Sequence, residues 1–149
     1  MRMNTIIEEL DRSSKTIAPE KLQEVIKKIK EHKRIFVYGT GRSGLMLKAF
    51  AMRLMQIGLN SYVVGETTTP SVQEGDLLIV ASASGETGSV CMTAESAVKQ
   101  GVDLIVISSA PESTLGKFTH QISRLKQQPN LRHPRSAYSR LEACLNRCF

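Results

Sequence analysis

The stretch Asp76-Leu-Leu-Ile-Val-Ala-Ser-Ala-Ser-Gly-Glu-Thr-Gly-Ser89 decides the fold class, because it joins an apolar strand to a small-residue loop and then to a helix. The run 76–81 is short, apolar and bounded by polar residues, which is typical of a strand buried on both faces. Helical periodicity follows over residues 89–100 and ends at Gly101. The stretch therefore predicts a strand, a polar loop and a helix in succession.

The same alternation extends in both directions from this stretch. We predict helices within 1–33, at 45–57 and at 89–100, and strands at 34–38, 61–64, 76–81, 103–108 and, more weakly, 121–124. Apolar strands that alternate with helices form a parallel sheet covered on both faces. The predicted fold is an open, doubly wound α/β domain with a five-stranded parallel sheet flanked by helices, a flavodoxin-like three-layer sandwich. Ligands bind such sheets at the carboxyl ends of the strands.

The chain of 149 residues is expected to form one folded domain over residues 1–124, followed by a basic tail over 125–149. Within the domain, residues 1–33 supply the N-terminal helices and residues 34–124 the α/β core. From Arg124 onward there are six basic residues and one acidic residue, so this end carries five of the six net positive charges. The charge therefore does not describe the folded body, and we expect no nucleic-acid partner.

Cysteine usage and hydropathy indicate the cellular compartment in which the protein is expected. The three cysteines, Cys91, Cys144 and Cys148, form neither an even set nor a CxxC pair. No apolar run approaches the roughly 20 residues of a membrane span, and the first residues lack the apolar stretch of a signal peptide. We expect a cytoplasmic protein that has no membrane partner.

The loop 82–89, here called the hydroxyl loop, is the most informative segment for function. Ser82, Ser84, Thr87 and Ser89 bring four hydroxyls to the N-terminus of the following helix, and Gly85 permits close backbone approach. Backbone N–H groups and the helix dipole bind anions at such a position without a lysine. The alternative is an ordinary turn with an N-cap. We favour phosphate binding.

A second glycine-containing loop, Gly39-Thr-Gly-Arg-Ser-Gly44, follows the first strand. Its GxGxxG spacing alone suggests a dinucleotide, and Glu66 lies at about the position of a ribose ligand. That interpretation leaves the hydroxyl loop unexplained. Two such loops at adjacent strand ends suit a phosphosugar, one holding the phosphate and the other the sugar.

Several motifs resemble those of sugar isomerase (SIS) domains, and within them the 6-phospho-3-hexuloisomerase branch. They are Gly41-Arg-Ser-Gly44, Ala49-Phe-Ala-Met-Arg-Leu-Met55, Gly65-Glu66, Glu74-Gly-Asp76 and Ser82-Ala-Ser-Gly-Glu-Thr87. The resemblance covers residues 5 to 124. It implies assembly as a homodimer or homotetramer, and a substrate that is a phosphorylated ketohexose.

The resemblance also implies a site and a reaction. The substrate-binding residues it implies are Ser43, Ser82, Ala83, Ser84, Gly85, Glu86 and Thr87. The reaction would interconvert 3-hexulose 6-phosphate and fructose 6-phosphate through a cis-enediol, as in the ribulose monophosphate pathway of formaldehyde fixation. Such a step needs a base that removes a proton alpha to the carbonyl. It requires neither a metal nor another cofactor.

Two residues are further candidates for the chemistry. Arg42 could neutralise the enediolate or form a surface pair, and we leave the two open. Glu66 follows a strand at the functional edge, where it could act as an acid or base, or as a cap or ion-pair partner. The catalytic residue itself stays unassigned.

The tail departs from the family. Related isomerases continue with a segment resembling Ile-Gln-Pro-Met/Leu-Gly-Ser-Leu-Phe-Glu-Gln, whose Glu is the catalytic base, and then with an apolar helix. Residues 125–149 contain nothing similar. Permitted codons for residues 137–149, read from the third base of the first codon, encode Ile-Gln-Pro-Leu-Gly-Ser-Leu-Phe-Glu-Gln-Val-Leu. We therefore expect a frameshift shortly after Arg124, which leaves the chain without its base and impaired in turnover.

Two other functions remain open. One is an aldose–ketose isomerase of the arabinose 5-phosphate type, which usually carries extra C-terminal domains. The other is a non-catalytic phosphosugar-binding module like those of sugar-responsive regulators, which carry a DNA-binding segment ahead of the SIS domain.

Overall fold

The computed structural model describes residues 18–118 and, before them, residues 7, 8, 11, 12, 14 and 15. The chain divides into two compact units, one of residues 1–16 with 127–149 and one of residues 17–126. In the first unit the described positions up to Ser14 are helical, and Lys15 forms an ion pair with Asp11. The predicted strand at 121–124 and the basic tail lie outside the described residues.

The second unit alternates helices and strands as predicted. In chain order its elements are α1 (Pro19–Glu31), β1 (Arg34–Gly39), α2 (Gly41–Gln56), β2 (Asn60–Val63), β3 (Leu77–Ala81), α3 (Gly88–Lys99), β4 (Asp103–Ile107) and α4 (Thr114–Lys117). The four strands predicted in this part of the chain are confirmed. The predicted start of α2 at Leu45 was wrong by one turn, because Gly44 N already donates to Thr40 O.

The sheet is parallel, with strand order β2-β1-β3-β4. The chain moves outward from β1 to β2 through α2, and in the opposite direction from β3 to β4 through α3. Because such crossovers are right-handed, the two helices cover opposite faces of the sheet. The doubly wound α/β class is thus confirmed, with four strands among the described residues. The direction reverses between β1 and β3, which is where ligands bind in open α/β sheets.

The two central strands form the core. All five residues of β3 are buried, as are Ile35, Phe36 and Val37 of β1. A strand covered on both faces loses the alternation of apolar and polar residues, which explains the continuous apolar runs in the sequence. The Phe36 ring also stacks on Tyr62 of β2, with ring centroids 5.2 Å apart.

An ion pair joins the amino ends of the central strands. Arg34 Nε donates to Asp76 Oδ1 at 2.8 Å and Arg34 Nη2 to Asp76 Oδ2 at 2.6 Å. Hydrogen bonding to Asp76 raises the pKa of the Arg34 guanidinium. This bidentate pair lies at the edge opposite the glycine and serine loops, so it holds β1 and β3 in register without contributing to the candidate site.

No helix in the described part of the chain combines the length and the apolar character that crossing a bilayer requires.

Candidate phosphosugar site

The sheet register brings the two loops side by side. Gly39 of β1 pairs with Ala81 of β3, so Thr40 and Ser82 begin neighbouring loops at the carboxyl edge. The helices α2 and α3 start at this same edge. Ser43 lies in the first turn of α2 and is half-buried. The structure therefore brings together the two segments on which the sequence placed its binding residues.

Ser82 organises the hydroxyl loop. Its side chain is buried, and Ser82 Oγ lies 2.9 Å from Thr87 Oγ1 and 3.5 Å from Ser84 Oγ. It also accepts a hydrogen bond from Gly85 N at 3.1 Å. A ring of hydroxyls around one buried oxygen holds the loop in a single conformation, so that donors are positioned before a ligand arrives.

The N-terminus of α3 is available to an anion. Thr87 is its N-cap residue, with an extended backbone, but among the described residues no side chain caps this helix. The Thr87 hydroxyl contacts Ser82 instead. The first N–H groups of a helix have no partner within the helix, and the helix dipole favours negative charge there. Of the two interpretations of this loop, the geometry supports the anion site over the capped turn.

Gly85 packs against a segment later in the chain. Its φ is +67°, and a Cβ atom there would lie 2.0 Å from Ser113 Oγ. Gly85 O also accepts a hydrogen bond from Leu115 N at 3.1 Å. The absence of a side chain therefore lets the loop pack against the segment before α4. Close approach to a ligand is not needed to explain this glycine.

The Glu86 side chain is held by Thr114, in the same segment that contacts Gly85. Thr114 N donates to Glu86 Oε1, and the Thr114 hydroxyl donates to Oε2, both at 2.7 Å. These hydrogen bonds lower the pKa of the Glu86 carboxyl. Burial and the charge of Glu86 together raise the pKa of the Cys91 thiol. Sequence reasoning missed this bracing segment, although the density of Ser and Thr over residues 108–114 was a signal for it.

The GxGxxG spacing has a packing explanation. A Cβ atom on Gly44 would lie 2.4 Å from Gly39 O, and one on Gly39 would lie 3.2 Å from Gly44 N and from Ala81 O. Both glycines thus allow the first turn of α2 to pack directly on the end of β1. The spacing follows from this contact between helix and strand and does not require a dinucleotide.

Glu66 lines a cavity at the carboxyl ends of β1 and β2. The strand β2 ends at Val63, so Glu66 belongs to the following turn, and its carboxylate Oε1 lies 2.5 Å from Lys48 Nζ. The sequence left an ion pair open as one role for Glu66, and this is the contact seen. Arg42 is exposed in the first turn of α2. Within the described ranges, no three His, Cys, Asp or Glu residues form a group that could hold a metal ion.

A family profile for the SIS domain matches residues 28–144 of the chain. The chain belongs to the SIS domain family. The profile begins in α1, includes both loops of the candidate site and ends within the basic tail.

Several curated relatives carry the name 3-hexulose-6-phosphate isomerase. The protein of Bacillus subtilis is 42% identical over 83% of this chain, and the protein of Mycobacterium gastri is 41% identical over 76%. The protein of Methanocaldococcus jannaschii is 49% identical over 58%. The aligned part spans 67%, 57% and 48% of those three relatives, in that order.

Solved structures agree with the family. A crystal structure of a hypothetical protein has a TM-score of 0.81 at 36% identity, and covers 89% of this chain and 70% of its own. A structure from Methanococcus jannaschii, for which a 3-hexulose-6-phosphate isomerase function was inferred, has a TM-score of 0.71 at 36% identity and covers 91% and 81%. Both show the same α/β architecture.

Proposed function

We propose that this chain is a phosphosugar isomerase of the 3-hexulose-6-phosphate type, acting between 3-hexulose 6-phosphate and fructose 6-phosphate. One observation carries the proposal: the hydroxyl loop precedes a helix N-terminus without a side-chain cap, at the point where the sheet reverses direction. Identity above 40% to curated isomerases of that name supports the same substrate class.

In this proposal the phosphate binds at the hydroxyl loop. The hydroxyls of Ser82, Ser84 and Thr87 and the first N–H groups of α3 donate to the phosphate oxygens. Ser43, at the start of α2, contacts the same substrate. Ala83, Gly85 and Glu86 complete the loop, with Glu86 acting through its bonds to Thr114.

The proposed reaction moves the carbonyl between C3 and C2. A base removes the proton alpha to the carbonyl, a cis-enediol forms, and the proton returns to the neighbouring carbon. In this proposal Arg42 is a candidate to neutralise the charge that develops on the enediolate oxygen, and a surface pair is the alternative role. No step requires a metal or a cofactor.

The catalytic base is the component that we propose is missing. In related enzymes it is the Glu of the segment that residues 137–149 encode in another frame. The codons of Leu145 and Asn146 together would decode that Glu, so Glu142 is not its equivalent. We therefore propose that residues 125–149 form a tail without the family's catalytic motif behind a domain of residues 1–124, although the family profile extends to residue 144. This chain then binds the phosphosugar but converts it poorly.

A binding measurement tests the site. Fructose 6-phosphate, titrated into the purified chain by calorimetry, should bind, whereas fructose should not, because the phosphate supplies the main contact. Thr87→Val should weaken that binding by about tenfold through loss of one charge-assisted hydrogen bond. Thr93→Val, in the second turn of α3, where the hydroxyl donates to Ser89 O, is the matched control. Equal binding of fructose and fructose 6-phosphate would contradict the proposal.

Sequencing and turnover test the tail. Sequencing of the source gene across codons 120–149 should show one base gained or lost, and the chain as given should isomerise little substrate. If the frame is confirmed as written and the ligand still binds, a non-catalytic phosphosugar-binding module replaces the isomerase as the better proposal. Robust turnover by this chain would refute the loss of the base.

We also propose that the chain assembles as a homodimer or homotetramer. The outward face of α2 exposes Leu45, Met46 and Met52, of which Leu45 and Met46 are each 65% exposed. Apolar side chains grouped on one helix face favour burial against another protein surface. We further propose that the protein is cytoplasmic, which agrees with the cysteine pattern.

A further inference from the structure

A cavity of about 220 Å³ opens at the carboxyl ends of β1 and β2. Its wall includes Thr40 after β1, Gly65 and Glu66 after β2, and Lys48 from the second turn of α2. The strand β1 lies between β2 and β3 in the sheet. The cavity is therefore close to the carboxyl end of β3, where the hydroxyl loop begins. Phosphate binding at the hydroxyl loop leaves this cavity free.

The charged groups at the cavity form a pair whose stabilising effect is small. Lys48 Nζ lies 2.5 Å from Glu66 Oε1, and the two side chains are 53% and 51% exposed. Exposed ion pairs contribute little to stability. An ammonium has three donors and a carboxylate has two acceptor oxygens, so a single contact between them leaves hydrogen-bonding capacity on both.

We propose that Lys48 and Glu66 bind the hydroxyl groups of the sugar chain whose phosphate lies on the hydroxyl loop. The inference rests on the proposed function and assigns the part of the site that recognises the sugar. Glu66 accepts hydrogen bonds from the hydroxyls, and Lys48 donates to their oxygens. Because their charges cancel, the pair does not compete with the hydroxyl loop for the phosphate.

The dimensions of the sheet agree with this arrangement. Neighbouring strands lie about 4.8 Å apart, so the space above β1 and β2 is roughly one to two strand spacings from the end of β3. The carbon chain of a hexulose 6-phosphate extends over such a distance. Val63 contributes an apolar part of the wall beside the charged pair, which suits the C–H face of a sugar.

The test compares two ligands on the 149-residue chain. Calorimetry with fructose 6-phosphate and with inorganic phosphate is carried out on the wild-type chain, on Glu66→Gln and on Lys48→Met. Each variant should bind fructose 6-phosphate about tenfold more weakly, the usual effect of losing a hydrogen bond to a charged group. Binding of inorganic phosphate should not change, because the phosphate does not contact the pair.

A second ion pair supplies the matched control. Lys99 and Glu95 on α3 have Nζ and Oε1 2.8 Å apart and lie at the end of the helix away from the hydroxyl loop. The substitutions Lys99→Met and Glu95→Gln should leave the binding of both ligands unchanged. Thermal unfolding of every variant, followed by circular dichroism, checks that each is folded. If only one of the two cavity variants, Glu66→Gln and Lys48→Met, folds, that variant alone is sufficient for the comparison.

The possible outcomes separate the two proposals. If the wild-type chain binds fructose 6-phosphate and both cavity variants bind it equally well, the pair is only a structural link between α2 and the β2 turn, and this inference is overturned while the proposed function stands. Loss of inorganic phosphate binding in the cavity variants also overturns it. If the wild-type chain does not bind fructose 6-phosphate, the proposed function fails and this inference fails with it.

Discussion

Gly85 and Glu86, which are neighbours in the hydroxyl loop, show how single residues shape the candidate site through contacts within the protein. Gly85 has a positive φ and packs against Ser113, and Glu86 accepts two hydrogen bonds from Thr114. Both connect the loop to the segment before and within α4. The position of the loop hydroxyls therefore depends on residues that come later in the chain.

Gly85→Ala should destabilise the protein. The new Cβ would lie 2.0 Å from Ser113 Oγ, and the left-handed backbone at φ +67° is itself unfavourable for alanine. Left-handed strain and overpacking together predict a loss of about 2–4 kcal/mol in the free energy of unfolding. Urea unfolding measures this change. Gly88→Ala is the control, since a Cβ there meets nothing within 4 Å, and equal losses in the two variants would disprove the packing role.

Glu86→Gln should make stability less dependent on pH. Hydrogen bonds from Thr114 lower the pKa of Glu86 below its usual value in the folded chain. The ionised carboxylate therefore stabilises the folded state fully above the pKa of the unfolded chain, and this contribution is lost as the pH falls through the lowered pKa of the folded chain. The wild-type chain should have the higher unfolding midpoint at pH 7, and the difference should vanish in acid. A difference between wild type and Glu86→Gln that is independent of pH would contradict the role of the charge.

The contact between α2 and β1 determines the position of the first of the two loops that form the candidate site. Gly39 and Gly44 meet so closely that only Thr40 separates the strand from the helix. Its first turn, which holds Ser43, is thereby placed at the carboxyl edge beside the hydroxyl loop. The same contact explains why the GxGxxG spacing occurs in a chain for which no dinucleotide is proposed.

Gly44→Ala should displace α2 from β1. The added Cβ would lie 2.4 Å from Gly39 O, a backbone atom that cannot rotate away. Overpacking of this kind costs about 1–3 kcal/mol, so the urea midpoint should fall and fructose 6-phosphate should bind more weakly. Ala49→Ser, at an exposed position of the same helix, should change neither quantity. Unchanged stability in Gly44→Ala would show that the helix can shift without cost.

For the whole molecule, the apolar face of α2 predicts self-association. Met46→Lys places a charge on this face and should shift the chain toward the monomer, which light scattering after gel filtration measures. Met92→Lys, at a residue of α3 that is 72% exposed, should leave the assembly unchanged. A wild-type chain that is monomeric at all concentrations would contradict the prediction.

The order of elements and the sheet type could be predicted from the sequence. Residues 35–38, 77–81 and 104–107 are continuous apolar runs, because strands buried on both faces require them whatever their neighbours are. The hydroxyl loop was recognisable for a similar local reason. Its serines, threonine and glycines directly precede a helical pattern, and a helix N-terminus binds anions through its own backbone.

The contact that requires Gly85, the partner of Glu86 and the partner of Glu66 could not be predicted. Each depends on a contact between segments far apart in the chain, such as Glu86 with Thr114 or Lys48 with Glu66. Local patterns of hydropathy and turn residues contain no information about which distant side chain will lie opposite. The sequence alone therefore determined the strands, the helices and the polar loops between them. The packing of helices and loops on the sheet decided which distant residues hold those loops in place, because distances across the fold arise only when the strands come into register.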